Sequence, residues 1–232
     1  MPRSHPTVRK GMERGSGVGM ARLVFWDVDT QWDFMDPSGA LYVPGAERLL
    51  STLGCLTRFA RERDITVVAS VCDHTPSDPE ISVRPDYRHT FPPHCLRGTP
   101  GQQKIEATAL QSPVVLENHG YTRNELTRRF SQDRAEIMIK KQALDVFTNP
   151  ATATLLDVLQ PDQVVVYGVV AELCVDLVVT RLLNAGLRVR WVRDAIAAID
   201  ATAAAHCAER WRTLGALPIT TAAIVDGNAL GA

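Results

Sequence analysis

The sequence predicts a three-layer α/β/α domain built on a mainly parallel, six-stranded sheet. From Arg22 onward, short β-branched runs alternate with longer stretches of helical spacing, the pattern of parallel strands joined by crossover helices. The chain has 232 residues, 45% of them hydrophobic, enough to bury the core of one α/β domain rather than two small ones.

The strand candidates in order are 22–28 (RLVFWDV), 65–71 (ITVVASV), 113–118 (PVVLEN), 135–140 (AEIMIK), 163–169 (QVVVYGV) and 187–192 (LRVRWV). Between them, 45–63, 123–130, 150–159, 172–186 and 201–215 carry helical spacing, and the last two end at Gly, a common helix stop. Residues 72–112 are rich in Pro and His with little regular pattern beyond a short helix near Gln102, and loops of that length are usually functional. The first twenty residues hold Pro, Gly and charge without periodicity. They read as a disordered arm, which leaves 21–232 as the domain, and Met20 is an equally good native start.

With 25 basic and 26 acidic residues and no long run of either sign, nothing electrostatic points to nucleic acid or an anionic membrane as the main partner. A small neutral molecule is the expected partner. The five cysteines, at 55, 72, 95, 174 and 207, are scattered and odd in number, so a reducing, cytoplasmic setting is expected rather than a disulfide framework. No apolar run approaches the ~20 residues that cross a bilayer, and the N-terminus lacks a signal peptide's apolar stretch.

Open parallel sheets bind ligands outside the carboxyl ends of their strands. Four places qualify: Asp27/Asp29, Cys72–His74, Lys140/Lys141, and the turn GVVAELC that leads into Cys174. The Asp-x-Asp at 27–29 resembles the opening of haloacid-dehalogenase-like phosphatases. That likeness fails at Gln31, where those enzymes have Thr or Val, and at Asp194 and Asp200, which lack the expected spacing. Cys174 falls at the start of a long apolar helix, whose positive end and unpaired N–H groups favour thiolate and can hold an oxyanion. By itself such a cysteine is equally a small core hydrophobe.

Three segments taken together resemble the isochorismatase-like cysteine hydrolases, especially their nicotinamidase branch, from about Leu23 to Ile224. DTQWDF matches an Asp-x-Gln-x-Asp-Phe pattern from Asp29, which leaves Asp27 structural. IKKQALDVF places Lys141 six residues before Phe147, with Asp145-Val146 where the family often has Ser-Ala. GVVAELC matches Gly-Val-Ala-Thr-Asp-x-Cys with Val170, Ala171 and Glu172 at the middle positions. The resemblance implies an Asp29–Lys141–Cys174 triad and a cis peptide at Val169–Val170. It also implies an oxyanion hole from the N–H groups of Val170 and Cys174. True isochorismatases cleave a vinyl ether without needing the cysteine, so Cys174 argues for the amidase side.

The same resemblance implies a divalent metal beside the triad. His74 stands at the first His position and Cys72 where Asp is expected, with Asp73 the alternative to Cys72 and Asp78 or Glu80 offering an oxygen. FPPHCLRGTPG matches a Trp-Pro-Pro-His-Cys motif and makes His94 the third ligand. A Cys-His-His set favours zinc. Phe34 and Phe91 take the positions that flank a flat substrate ring. The resulting expectation is an amidohydrolase acting on a nicotinamide-like amide without an organic cofactor, and homo-oligomeric as relatives are. The alternatives are hydrolysis of another small amide or carbamoyl compound, the phosphatase, or a non-catalytic binding module.

Overall fold

The computed structural model describes residues 22–130 and 135–227, so the expected arm at 1–20 lies outside the described residues. Strand β1 (Leu23–Val28) is followed by a one-turn helix, α1 (Trp32–Met35). A 3-10 turn at Ala46–Leu49 runs into α2 (Leu50–Glu62), which buries Leu53, Leu56, Phe59 and Ala60 on one face, the i, i+3, i+4 stripe its sequence shows. Next come β2 (Thr66–Cys72), β3 (Val114–Leu116), α3 (Arg123–Arg129), β4 (Glu136–Lys141) and α4 (Pro150–Leu159). Thr122 and Glu125 form a reciprocal capping box that starts α3, and Asn149 caps α4 ahead of Pro150.

Strand β5 (Gln163–Gly168) leads through a π-helical turn (Ala171–Val175) into α5 (Asp176–Asn184), then β6 (Arg188–Ile196), α6 (Ala201–Thr213), β7 (Leu217–Ile219) and α7 (Thr221–Val225). All strand pairings are parallel, in the order β3-β4-β2-β1-β5-β6-β7. Among the described residues the sheet therefore has seven strands, not the six expected. The addition, β7, is three residues long and contains Pro218, and such a segment is tolerated only at an edge.

One sheet face packs on Leu126, Leu155, Val178, Leu182 and Trp211 of α3–α6, and the other on Leu53, Leu56, Phe59 and Ile224 of α2 and α7. From β1 the chain fills one side of the sheet first, with β2, β4 and β3 outward, and then crosses to the other side with β5, β6 and β7. That reversal opens a crevice at the carboxyl ends of the central strands. Close packing there demands Gly168, because a Cβ at its φ of +119° would sit 2.1 Å from the Val28 carbonyl oxygen.

Candidate active site

Four neighbouring strands, β4, β2, β1 and β5, deliver Lys141, Cys72, Asp29 and Cys174 to the crevice at or just beyond their carboxyl ends. Cys72 and Lys141 are register partners, so both project to the same side of the sheet. The lysine ammonium lies 3.0 Å from Asp29 Oδ2, 3.2 Å from Cys72 Sγ and 3.5 Å from Cys174 Sγ. It also donates to the Ala143 carbonyl at 3.2 Å. The three side chains expected as the triad are thus together, each at most 5% exposed.

Burial sets the charges here. It pushes the Asp29 carboxyl above the usual carboxylate range, against the attraction of Lys141. It likewise pushes the Cys174 thiol well up, again opposed by Lys141 and reinforced by Asp29. Burial opposes the Lys141 charge, but Asp29, Cys174, Cys72 and Glu80 hold its pKa well above the usual lysine value. Burial thus works against the anionic form of both Asp29 and Cys174, beside a lysine that stays cationic.

Val169–Val170 is a cis peptide. The Val170 carbonyl accepts from Leu173 N and Val175 N, which winds the π turn around the nucleophile position. No acceptor among the described residues takes the Val170 N–H, so it is free to meet an incoming oxygen.

The ligand atoms of Cys72, His74 and His94 lie within 4.8 Å of one another. Neither ring nitrogen of the fully buried His74 has a hydrogen-bond partner. The carboxylates facing it are Asp78 Oδ2, 3.4 Å from Nδ1, and Glu80 Oε1, 3.8 Å from Nε2. An imidazole buried in this way is costly unless something else takes its lone pair. His94 Nδ1 faces the Pro92 carbonyl at 2.8 Å, leaving Nε2 for a ligand. The donor set therefore fits a zinc-type cation. Cys95, by its hydrogen bond, together with Lys141 holds the Cys72 thiol well below its usual range despite burial, the state a metal ligand needs. Asp73 does not compete: it pairs with Arg97 and accepts from Gln102.

Strand-like bonds continue beyond β2. His74 N donates to Cys95 O at 3.2 Å and Arg97 N to His74 O at 2.8 Å, which brings the His94 loop against His74. Phe91 N donates to Glu80 O at 2.7 Å and places Glu80 in the cavity. Phe34 and Phe91 line that cavity, their ring centroids 5.4 and 6.3 Å from His94. Asp145 pairs with Arg181 and caps the 146–148 turn, and it does not line the cavity. Asp27 accepts from Thr30 and Lys104, Asp194 from Thr221 N, and Asp200 caps α6. Apart from Asp29, the acids of the phosphatase reading are thus in structural use.

Two further residues organise the site. Gln31 accepts from Cys72 N and donates to Cys72 O at 2.8 Å, so its side chain completes the end of β2 as a strand neighbour would. Asp33 accepts from Cys95 N at 2.6 Å and Ala40 N at 3.0 Å and fills the space over Gly101. Both lie inside DTQWDF, where the motif match was the signal that singled them out.

The isochorismatase domain family matches residues 23–223. The chain belongs to this family. Isochorismatase-family proteins are hydrolases, and several solved structures share the architecture. The pyrazinamidase of Pyrococcus horikoshii in complex with zinc is 23% identical over 86% of this chain and 99% of that one, with a TM-score of 0.67. PnC1 from L. infantum in complex with nicotinate is 22% identical over 89% and 96%, with a TM-score of 0.68. N-carbamoylsarcosine amidase from Thermoplasma acidophilum is 21% identical over 86% and 96%, with a TM-score of 0.65. At these identities the likeness is one of fold. No curated protein sequence matches the chain significantly. No helix among the described residues is long and apolar enough to cross a membrane.

Proposed function

We propose that this isochorismatase-family chain is a cysteine amidohydrolase that converts a small, flat amide of the nicotinamide type to its acid and ammonia. The observation that carries the reading is the single ammonium of Lys141 within 3.0–3.5 Å of both Asp29 and Cys174. Two groups whose anionic forms burial disfavours sit beside a fixed cation, an arrangement suited to moving one proton as a charge develops.

In this mechanism Asp29 takes the thiol proton as Cys174 Sγ bonds to the amide carbon. The carbonyl oxygen becomes an oxyanion held by the N–H groups of Val170 and Cys174. Asp29 returns the proton to the departing nitrogen, the C–N bond breaks, and ammonia leaves a thioester. Asp29 then deprotonates a water that cleaves the thioester and restores the thiol. Lys141 keeps its charge throughout, so the site never holds two uncompensated anions.

Cys72, His74 and His94 would hold zinc, which supplies a Lewis-acid position for a ring nitrogen or a water. Phe34 and Phe91 bound a flat apolar slot beside it. Cys72 in place of a carboxylate keeps a second substrate class in view, small carbamoyl compounds, for which the ring nitrogen is dispensable. The test is ammonia release from a panel led by nicotinamide and including carbamoyl compounds, with zinc added or chelated and Cys174→Ala as control. Release from nicotinamide that requires both Cys174 and metal is expected. Turnover retained by Cys174→Ala would overturn the mechanism, and metal-independent release from carbamoyl compounds alone would move the substrate.

A further inference from the structure

The cavity over Cys174 holds about 20 Å³ of free space, room for a single water molecule. The cavity is thus narrow, and the residues at its mouth decide which amides enter. Phe34, Phe91, Val170 and Cys174 are buried in the core, whereas Ile199, at 49% exposed, is the one cavity-lining residue that is largely open to solvent. It occupies the short connection between β6 and α6.

That connection is tied to the nucleophile turn. Glu172, two residues before Cys174, accepts from Ile199 N at 2.9 Å and from Asp200 N at 2.7 Å through one carboxylate oxygen, Oε1. Ala171 N donates to Ala197 O at 2.9 Å. The other Glu172 oxygen is buried with no hydrogen-bond partner. The Ile199 side chain is therefore placed over the cavity by its backbone bond to the very turn that carries the nucleophile.

We infer that Ile199 is a specificity-determining rim residue, and that Glu172 is the positioning residue that holds it where it admits compact amides and excludes those with a bulky substituent. Resting on the amidohydrolase reading, this narrows the substrate class to small amides no bulkier than a single ring. Glu172 acts on the rim through one carboxylate oxygen, which holds the backbone N–H groups of Ile199 and Asp200.

The test reads access to Cys174 directly and does not depend on turnover. Alkylation of Cys174 by iodoacetamide and by an analogue bearing two fused rings on its nitrogen is followed by peptide mass mapping, each rate normalised to a free thiol. The wild-type protein is expected to favour the small reagent by ~10-fold or more, and Ile199→Ala to lose most of that preference, because steric discrimination by one side chain is worth about 10–200-fold. Glu172→Ala should lose the preference as well, and Glu172→Gln should retain it, since the amide oxygen can accept the same two bonds. Equal ratios in wild type and Ile199→Ala would overturn the rim assignment, and Glu172→Gln behaving like Glu172→Ala would overturn the positioning role. Absence of ammonia release from every amide would instead overturn the proposed function and leave these ratios standing.

Discussion

Asp29 and Cys174 share one physical problem: each must be anionic at some point in the proposed cycle, and burial resists both charges. A carboxylate base works only when ionised, so kcat/KM must fall as pH drops through the Asp29 pKa. Because burial raises that pKa above the ordinary carboxylate value, the acid limb is expected above the ~4 of a free aspartate. Lys141 opposes the shift, so Lys141→Met should move the limb further up as well as lowering the rate. A profile of kcat/KM against pH for both proteins decides this, and a wild-type limb at or below that of free aspartate would contradict the assignment. Asp29, Lys141 and Cys174 were legible in the sequence because their motifs fix a register at strand ends. The phosphatase alternative fell away for the same reason, since Asp27 lies one residue inside β1 and is bonded to Thr30 and Lys104.

The short helix α1 does more for the site than its four residues promise. Asp33 reaches Cys95 N and Ala40 N, and Gly101 is glycine because a Cβ there would lie 2.1 Å from Asp33 Oδ2. Asp33→Ala leaves two backbone donors without their acceptor, at about 1–3 kcal/mol each where buried, and should lower the urea midpoint accordingly. Gly101→Ala should also destabilise, by steric conflict with the same carboxylate. The double variant should then cost less than the sum, because removing the carboxylate clears the space the new methyl needs. Strict additivity in a denaturation cycle would refute the clamp. These links were hard to read from sequence, since a side chain that bonds backbone sixty residues away leaves no periodicity. The same limit hid the order in residues 72–112, where isolated bridges at His74–Leu96 and Ile81–Phe91 replace regular strands. It also hid β7, a three-residue edge strand interrupted by Pro218.

Across the whole molecule, the long parallel strands and their crossover helices were readable because each spends many residues on one period, and six of the seven strands lie where β-branched runs predicted them. What the architecture adds is a division of labour. The central strands β1, β2, β4 and β5 present reacting groups, while the irregular segment after β2 supplies His74, Glu80, Phe91 and His94 and is fastened back by few regular bonds. A metal shared by Cys72 on the sheet and His94 on that segment would cross-link the two, so its free energy of binding becomes stability of the whole chain. At zinc a hundredfold above its dissociation constant the gain is ~2.7 kcal/mol, which for a domain of this size raises Tm by roughly 5–11 °C. The increase should appear on adding zinc to chelator-treated protein and vanish in His94→Ala, whose side chain supplies the ligand from the far side. Cys72→Asp should keep a smaller increase, since a carboxylate still ligates zinc but gives up the soft thiolate. Melting curves with and without zinc for the three proteins make the comparison, and an increase that survives His94→Ala would remove the metal from this cluster.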